Sequence, residues 1–403
     1  MIYPSLNYDA RLYLNDANGK PMPASFSRAG NASLCNAIGL LATAAAGAMR
    51  HDYAADGRYL GWLIEEQRSN LALHAAAADN AAWTKINTTI TANATAAPDG
   101  TLAADKIVEA SDVAQSHNLT QAIVFTAATY CFSVYLKAAG RNAAMVQLDS
   151  TTPSNAFFDL SAGTVGYIGS ALASASITAC GNAWYRCAVV GATAAATRSV
   201  RIAPASGTAH GSEIYNGDGS SGIHAWGAQV ELGSFPSSYI ATAGAMVTRA
   251  GDLFSLATAA FPFNPTEGSL LVHFDVAALG LLSGIARLHN ASFGGIALYR
   301  GTGNLIALDI NDGTPRGNVA GSLPLAAGEM VRVAVAWKQG DGALCINGGP
   351  VATFAPSAIP AGLDTLELGG GNWGTAPMGG HLRHAAYFPR RLGNAELQDL
   401  TRL

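Results

Sequence analysis

Short runs of apolar, β-branched and aromatic residues recur along this chain, and clusters of Gly, Asn, Asp, Ser and Pro cut them apart. The runs fall at 130–137, 143–148, 184–190, 222–232, 269–276, 295–299, 305–310, 330–337 and 343–346, with turn clusters such as 149–155, 216–221, 311–317 and 340–342 between them. Strands this short with turns this frequent specify an all-β chain built of sandwiches. Alanine-rich stretches at 75–82 and 192–196 have helical propensity, but Gly, Thr, Ser and Asn interrupt their surroundings. One segment reads as a helix, 394–403, with Asn394 placed to cap it and Leu397 and Leu400 on one apolar side.

Three regimes divide the 403 residues. Residues 1–71 are irregular and rich in Gly and Asn, with too little apolar pattern for a core of their own. They read as an attachment segment that lies along another chain or against the middle unit, burying Leu63 and Ile64. Residues 72–243 form a first β-sandwich and residues 252–403 a second. The expected architecture is therefore all-β, with two jelly-roll-type sandwiches in tandem after an N-terminal attachment segment.

Charge excludes several function classes. Only 12% of residues are charged, about half the usual ~25%, and the formal net charge is −4. Nucleic-acid binding, which needs clustered Lys and Arg, is not expected. No run of 18 apolar residues exists to cross a membrane as a helix, and the N-terminus lacks the basic start and apolar stretch of a secretory signal. Cys35, Cys131, Cys180, Cys187 and Cys345 are odd in number and scattered, so they read as reduced thiols packed as small hydrophobes.

Several segments, in order, resemble a known type of module. They are Phe26-Ser27-Arg28-Ala29; Tyr59-Leu60-Gly61-Trp62-Leu63-Ile64-Glu65-Glu66-Gln67-Arg68-Ser69-Asn70-Leu71; Ala81-Ala82-Trp83-Thr84-Lys85; and Ala97-Pro98-Asp99-Gly100-Thr101 with Ala104-Asp105-Lys106-Ile107. The series closes with Ile223-His224-Ala225-Trp226-Gly227-Ala228-Gln229-Val230-Glu231 and Phe235-Pro236-Ser237-Ser238-Tyr239-Ile240-Ala241-Thr242. Over residues 24–250 this resembles the carbohydrate-binding-module-like jelly roll of tail- and head-fibre (spike) proteins of tailed bacteriophages. The C-terminal unit is similar to concanavalin-like and laminin-G-like sandwiches, through Glu267-Gly268-Ser269-Leu270-Leu271-Val272, the strand 330–337, Leu366-Glu367-Leu368-Gly369 and the segment 379–388. The glucanase branch of that fold carries a Glu-x-Asp-x-x-Glu strand, which this sequence lacks.

Context decides between the candidate sites. Gly369-Gly370-Gly371-Asn372-Trp373-Gly374 matches G-x-G-x-x-G, but Thr375-Ala376-Pro377 cannot open the helix a dinucleotide site needs, so it reads as a sandwich loop. Within it Trp373 offers a stacking face and Asn372 a donor and an acceptor, which makes these two the expected glycan contacts. Along 224–232, a period of two puts His224, Trp226, Ala228, Val230 and Leu232 on one face, read as core. Asp309-Ile310-Asn311-Asp312-Gly313 fails the calcium-loop spacing and reads as a hairpin turn. No H-E-x-x-H, C-x-x-C, G-x-S-x-G or P-loop occurs, and adjacent Glu65 and Glu66 would point to opposite faces of a strand. No metal, cofactor or catalytic residue is expected.

The resemblance implies a virion protein, made in the host cytoplasm, that joins other virion proteins through its N-terminal segment. It also implies a homotrimer that contacts host-surface glycan. Two further readings stay open: a polysaccharide depolymerase, and a ligand-free architectural or decoration protein.

Overall fold

A computed structural model describes residues 6–9, 15–16, 25–111, 114–277, 279, 282–291, 294–370 and 377–402. The chain is all-β: strands supply nearly all of its regular structure, and Asn394–Thr401 is the one α-helix among the described residues. Asn394 does not cap that helix. Glu396 closes its end from the third position by accepting from the Gly393 N–H at 2.7 Å, while the Asn394 Oδ1 accepts from Arg391.

The middle unit is a sandwich of two six-stranded antiparallel sheets. In one, Gly222–Leu232 and Tyr185–Thr193 flank Ala128–Ala139; in the other, Ala196–Ala205 lies between Ala143–Gln147 and Asn118–Phe125. Phe132, Phe158, Leu136, Val189 and Ile202 fill the space between them. Trp83, just ahead of the strand Thr84–Ile86, is buried in the same core.

The second sandwich pairs a seven-stranded with a nine-stranded sheet, and it departs from the tandem expectation. Residues 25–70 are not a separate segment: their hairpin at 32–44 touches the middle unit, but their other strands are built into this sandwich. Ser25–Ser27 extends the seven-stranded sheet beside Leu253–Ala257, and Tyr59–Ile64 pairs with Gly380–Phe388 in the other sheet. Leu6–Asp9 pairs with that same strand. The reason lies in side chains. Trp62 and Ile64 are 0% and 1% exposed in the core that holds Phe254, Leu270, Trp337 and Tyr387. Trp62 meets Phe26 and Phe254 edge-on, with ring centroids 5.3 and 5.1 Å apart. The chain thus begins the C-terminal sandwich, leaves it at Arg68–Asn70, builds the middle sandwich, and returns at Val247–Arg249. Those two short strands pair antiparallel as a neck.

A second difference concerns Trp226. The strand Gly222–Leu232 slips register against its neighbour between Ser133 and Tyr135. At that point Gly227 adopts φ +66°, and a Cβ there would lie 2.9 Å from the Tyr135 ring. The bulge reverses the alternation. Ile223, Ala225, Ala228 and Val230 face the sandwich core, whereas Trp226 turns outward to pack with Tyr135, Trp184 and Tyr239.

If residues 25–70 belong to the C-terminal sandwich, trypsin acting on the native protein leaves them bound to it, despite Arg28, Arg50, Arg58 and Arg68. Native mass spectrometry of the digest checks this, and release of a free N-terminal fragment would contradict it.

Candidate functional site

The neck is held by charge. Arg28, Arg50, Arg249, Glu65 and Asp252 come from three distant parts of the chain, and each is at most 5% exposed. Arg28 donates to Asp252 Oδ1 at 2.9 Å, and Arg50 donates both to Asp252 Oδ2 and, at 2.7 Å, to Glu65 Oε2. Arg249 lies 3.4 Å from the same Glu65 oxygen. Ser238 closes the set: its N–H donates to Glu65 Oε1 at 2.7 Å and its hydroxyl to Oε2 at 2.6 Å. Burial alone would raise the Glu65 pKa. The Arg249 and Arg50 charges and the two Ser238 bonds outweigh it and hold Glu65 far below the usual carboxylate range. Asn70, fully buried, uses all four of its hydrogen bonds here: it donates to Ala228 and Ile240 carbonyls and accepts from the Ala72 and Val230 amides.

Beside the neck, the hairpin formed by Ala32–Cys35 and Leu41–Ala44 is tied to both sandwiches. The Ser33 hydroxyl donates to the Tyr239 carbonyl at 2.7 Å, the Leu41 N–H donates to the Pro98 carbonyl, and Arg50 donates to the Ser33 carbonyl. Asp52 anchors its base, accepting from the Cys35 N–H at 2.6 Å and, through Oδ2, from His381 Nε2 at 3.0 Å. The other ring nitrogen of His381 sits 3.0 Å from both oxygens of Asp275. Burial disfavours the imidazolium, but hydrogen bonds to Asp275 and Asp52, with their charges, win and raise the His381 pKa to about 9.

Hairpin, neck and middle sandwich enclose a cleft of about 810 Å³. Its floor is Trp226, Tyr239 and Ile240, all buried. The rings of Trp226 and Tyr239 lie 4.6 Å apart at 46°, backed by Tyr135 edge-on to both. Its rim carries Asn31, Ser33, Thr43, Thr101 and Thr248. Among the described lining residues Asp99 is the one carboxylate and Arg249 the one cation. Asp99 Oδ1 is held by the Thr101 N–H and hydroxyl at 2.9 and 2.6 Å. The Tyr239 hydroxyl, on a residue 8% exposed, has no protein hydrogen-bond partner. Burial raises its pKa, and the charges of Tyr135 and Asp99 add to the shift.

Of the two contacts expected from the sequence, Asn372 and Trp373 both lie outside the described residues. The cleft was missed because it depends on the bulge at Gly227 and on a hairpin from the presumed attachment segment. Its one sequence signal was the density of motif residues converging on it. The Asp309–Gly313 stretch is a hairpin, with Asn311 accepting from the Gly313 N–H and Asp312 paired to Arg316.

No protein-family model matches the chain, and no curated protein matches its sequence. Among solved structures, the chain is similar to the CBM40 of the Ruminococcus gnavus IT-sialidase bound to α2,3-sialyllactose. The match is at 18% identity and TM-score 0.31, over 35% of this chain and 84% of that one. It is similar also to domain 4 of AbnA, a GH43 extracellular arabinanase from Geobacillus stearothermophilus in complex with arabinotriose, at 14% identity and TM-score 0.32, covering 42% and 84%. The extracellular region of zebrafish Gpr126/Adgrg6 matches 78% of this chain and 37% of its own, at 12% identity and TM-score 0.29.

Two predictions concern the neck. Glu65→Gln leaves buried guanidinium charge short of a partner, a change that costs about 3–5 kcal/mol. Calorimetry should show melting lowered by on the order of 10 °C, and an unchanged melting temperature would contradict the network. His381 supplies the pH dependence. Its folded pKa is raised, so its contribution is complete below the ordinary value of 6.5 and is lost as pH rises through about 9. The melting temperature should fall across that window, and His381→Asn should flatten the slope.

Proposed function

We propose that this chain is a non-catalytic adhesin of a tailed-phage virion, a fibre or spike subunit that holds host-surface glycan in the neck cleft. The observation that carries the glycan reading is the cleft's make-up: an aromatic floor under a rim of hydroxyls and an amide. Sugar rings present apolar C–H faces and peripheral hydroxyls, and such a surface meets both. Glycoside hydrolysis by the common route needs two carboxylates roughly 5–10 Å apart across the bond. Among the described lining residues Asp99 is the one carboxylate, which favours binding over cleavage.

The virion reading rests on the resemblance over residues 24–250. A homotrimer fits the exposure of Ile38, Leu102, Val124 and Met246 on a chain with few charges to mask them. Light scattering on the 41.2 kDa chain should give three copies, and a monodisperse monomer would count against the trimer.

A glycan array followed by calorimetric titration tests the site. Asn31→Ala removes the exposed rim amide and leaves the aromatic floor in place. Affinity for the bound glycan should fall about fivefold, the worth of one hydrogen bond of about 1 kcal/mol, with melting temperature unchanged. Equal affinity in the variant would remove Asn31 from the site.

A further inference from the structure

Resting on the glycan reading, we infer that the neck cleft selects neutral sugars and rejects those bearing carboxylates. The charge available to a ligand decides this. Arg249, the one cation among the described lining residues, is 3% exposed and already engaged: it faces Glu65 at 3.4 Å, and its terminal nitrogens donate to the Glu66 carbonyl at 2.9 Å and the Ala250 carbonyl at 3.3 Å. Its Nε is buried as well. No arginine fork is therefore presented to an anion, although fixed, paired donors are what carboxylate recognition requires.

Asp99 adds the opposing sign. Its Oδ1 is occupied by Thr101, and it places a half-buried negative charge on the lining. A neutral sugar hydroxyl can donate to the Asp99 carboxylate. A uronic or sialic carboxylate brought to the same place meets a like charge in a partly desolvated setting, with no counter-charge to offset it. The walls point the same way. Ala32, Ala42, Ala103 and Ala241 give small apolar surfaces beside Ile240 and Val247, suited to the methyl of an N-acetyl or 6-deoxy substituent rather than to an ion.

Matched probes test the inference on the full chain. Chitotetraose is neutral and N-acetylated throughout, whereas a hyaluronan tetrasaccharide replaces alternate units with glucuronate. N-acetyllactosamine and its sialylated form make a second pair. Neutral members should bind at least tenfold more tightly than their acidic counterparts. Added salt should narrow the gap by screening. Asp99→Asn should raise the ratio of acidic to neutral affinity about fivefold. Acidic probes binding as tightly as neutral ones would overturn the selectivity and leave the glycan reading standing. A neutral preference that Asp99→Asn fails to move would overturn its electrostatic origin. Failure of every probe of both classes would overturn the glycan reading itself, and this inference with it.

Discussion

Everything about the shape of this protein passes through one buried ionic cluster. Arg50 sits between Glu65 and Asp252, and Arg28 and Arg249 complete the set from either side. Removing five charges from water costs several kcal/mol each before pairing offsets it, so the net gain over apolar packing is small. What the cluster contributes is register. Each carboxylate is bound by groups from more than one segment, and any other alignment would strand a buried charge. Residues near 28, 50–65 and 238–252 therefore meet in one way only. A domain inserted between positions 70 and 247 is returned to the point it left.

The cleft follows from that junction. Its floor belongs to the inserted sandwich, one wall to the hairpin at 32–44, and its end to the returning strand Val247–Arg249. Ser238 bonds Glu65, and Tyr239 and Ile240 come next in the chain, so the residues that line the floor are positioned by the residue that closes the ion cluster. His381, Asp52 and Asp275 brace the base of the same hairpin from the far sandwich. The site is thus organised before any ligand arrives, which lowers the conformational cost of binding.

The all-β class was legible because strand periodicity and turn composition are local signals. The helix at 394–401 was legible too, though its cap was not, since Glu396 rather than Asn394 reaches the first amide. Insertion of one sandwich into the other was invisible. The pairing of Leu63 with His381 spans more than three hundred residues, and no local pattern distinguishes an edge strand of a distant sheet from an irregular arm. The outward turn of Trp226 was misread for a different reason. A glycine inside a strand can mark a bulge, but the alternation on either side of Gly227 reads as continuous unless the Tyr135 ring against it is known. The resemblance to phage fibre modules did pick out Arg28, Glu65, Asn70, Ser238 and Tyr239, yet as a pattern without roles. Four of these five are architectural, and only Tyr239 also faces the cleft.

That overlap bears on how such a site behaves. A rim of hydroxyls and an amide over an aromatic floor can supply a few hydrogen bonds and some apolar contact, and binding must first offset lost translational and rotational freedom. One cleft of this kind gives weak, rapidly reversible contact. In a trimeric fibre borne in several copies on one particle, a second and third cleft would bind at an effective concentration far above that in solution, and avidity would rise by orders of magnitude without any new contact. On the proposed reading, weak individual contacts would keep each attachment reversible, and the number of copies would set how firmly a particle is held. The rigidity of the neck then matters twice. It fixes the cleft, and in the proposed trimer it would fix the direction in which each cleft points, so that the copies could engage one surface together.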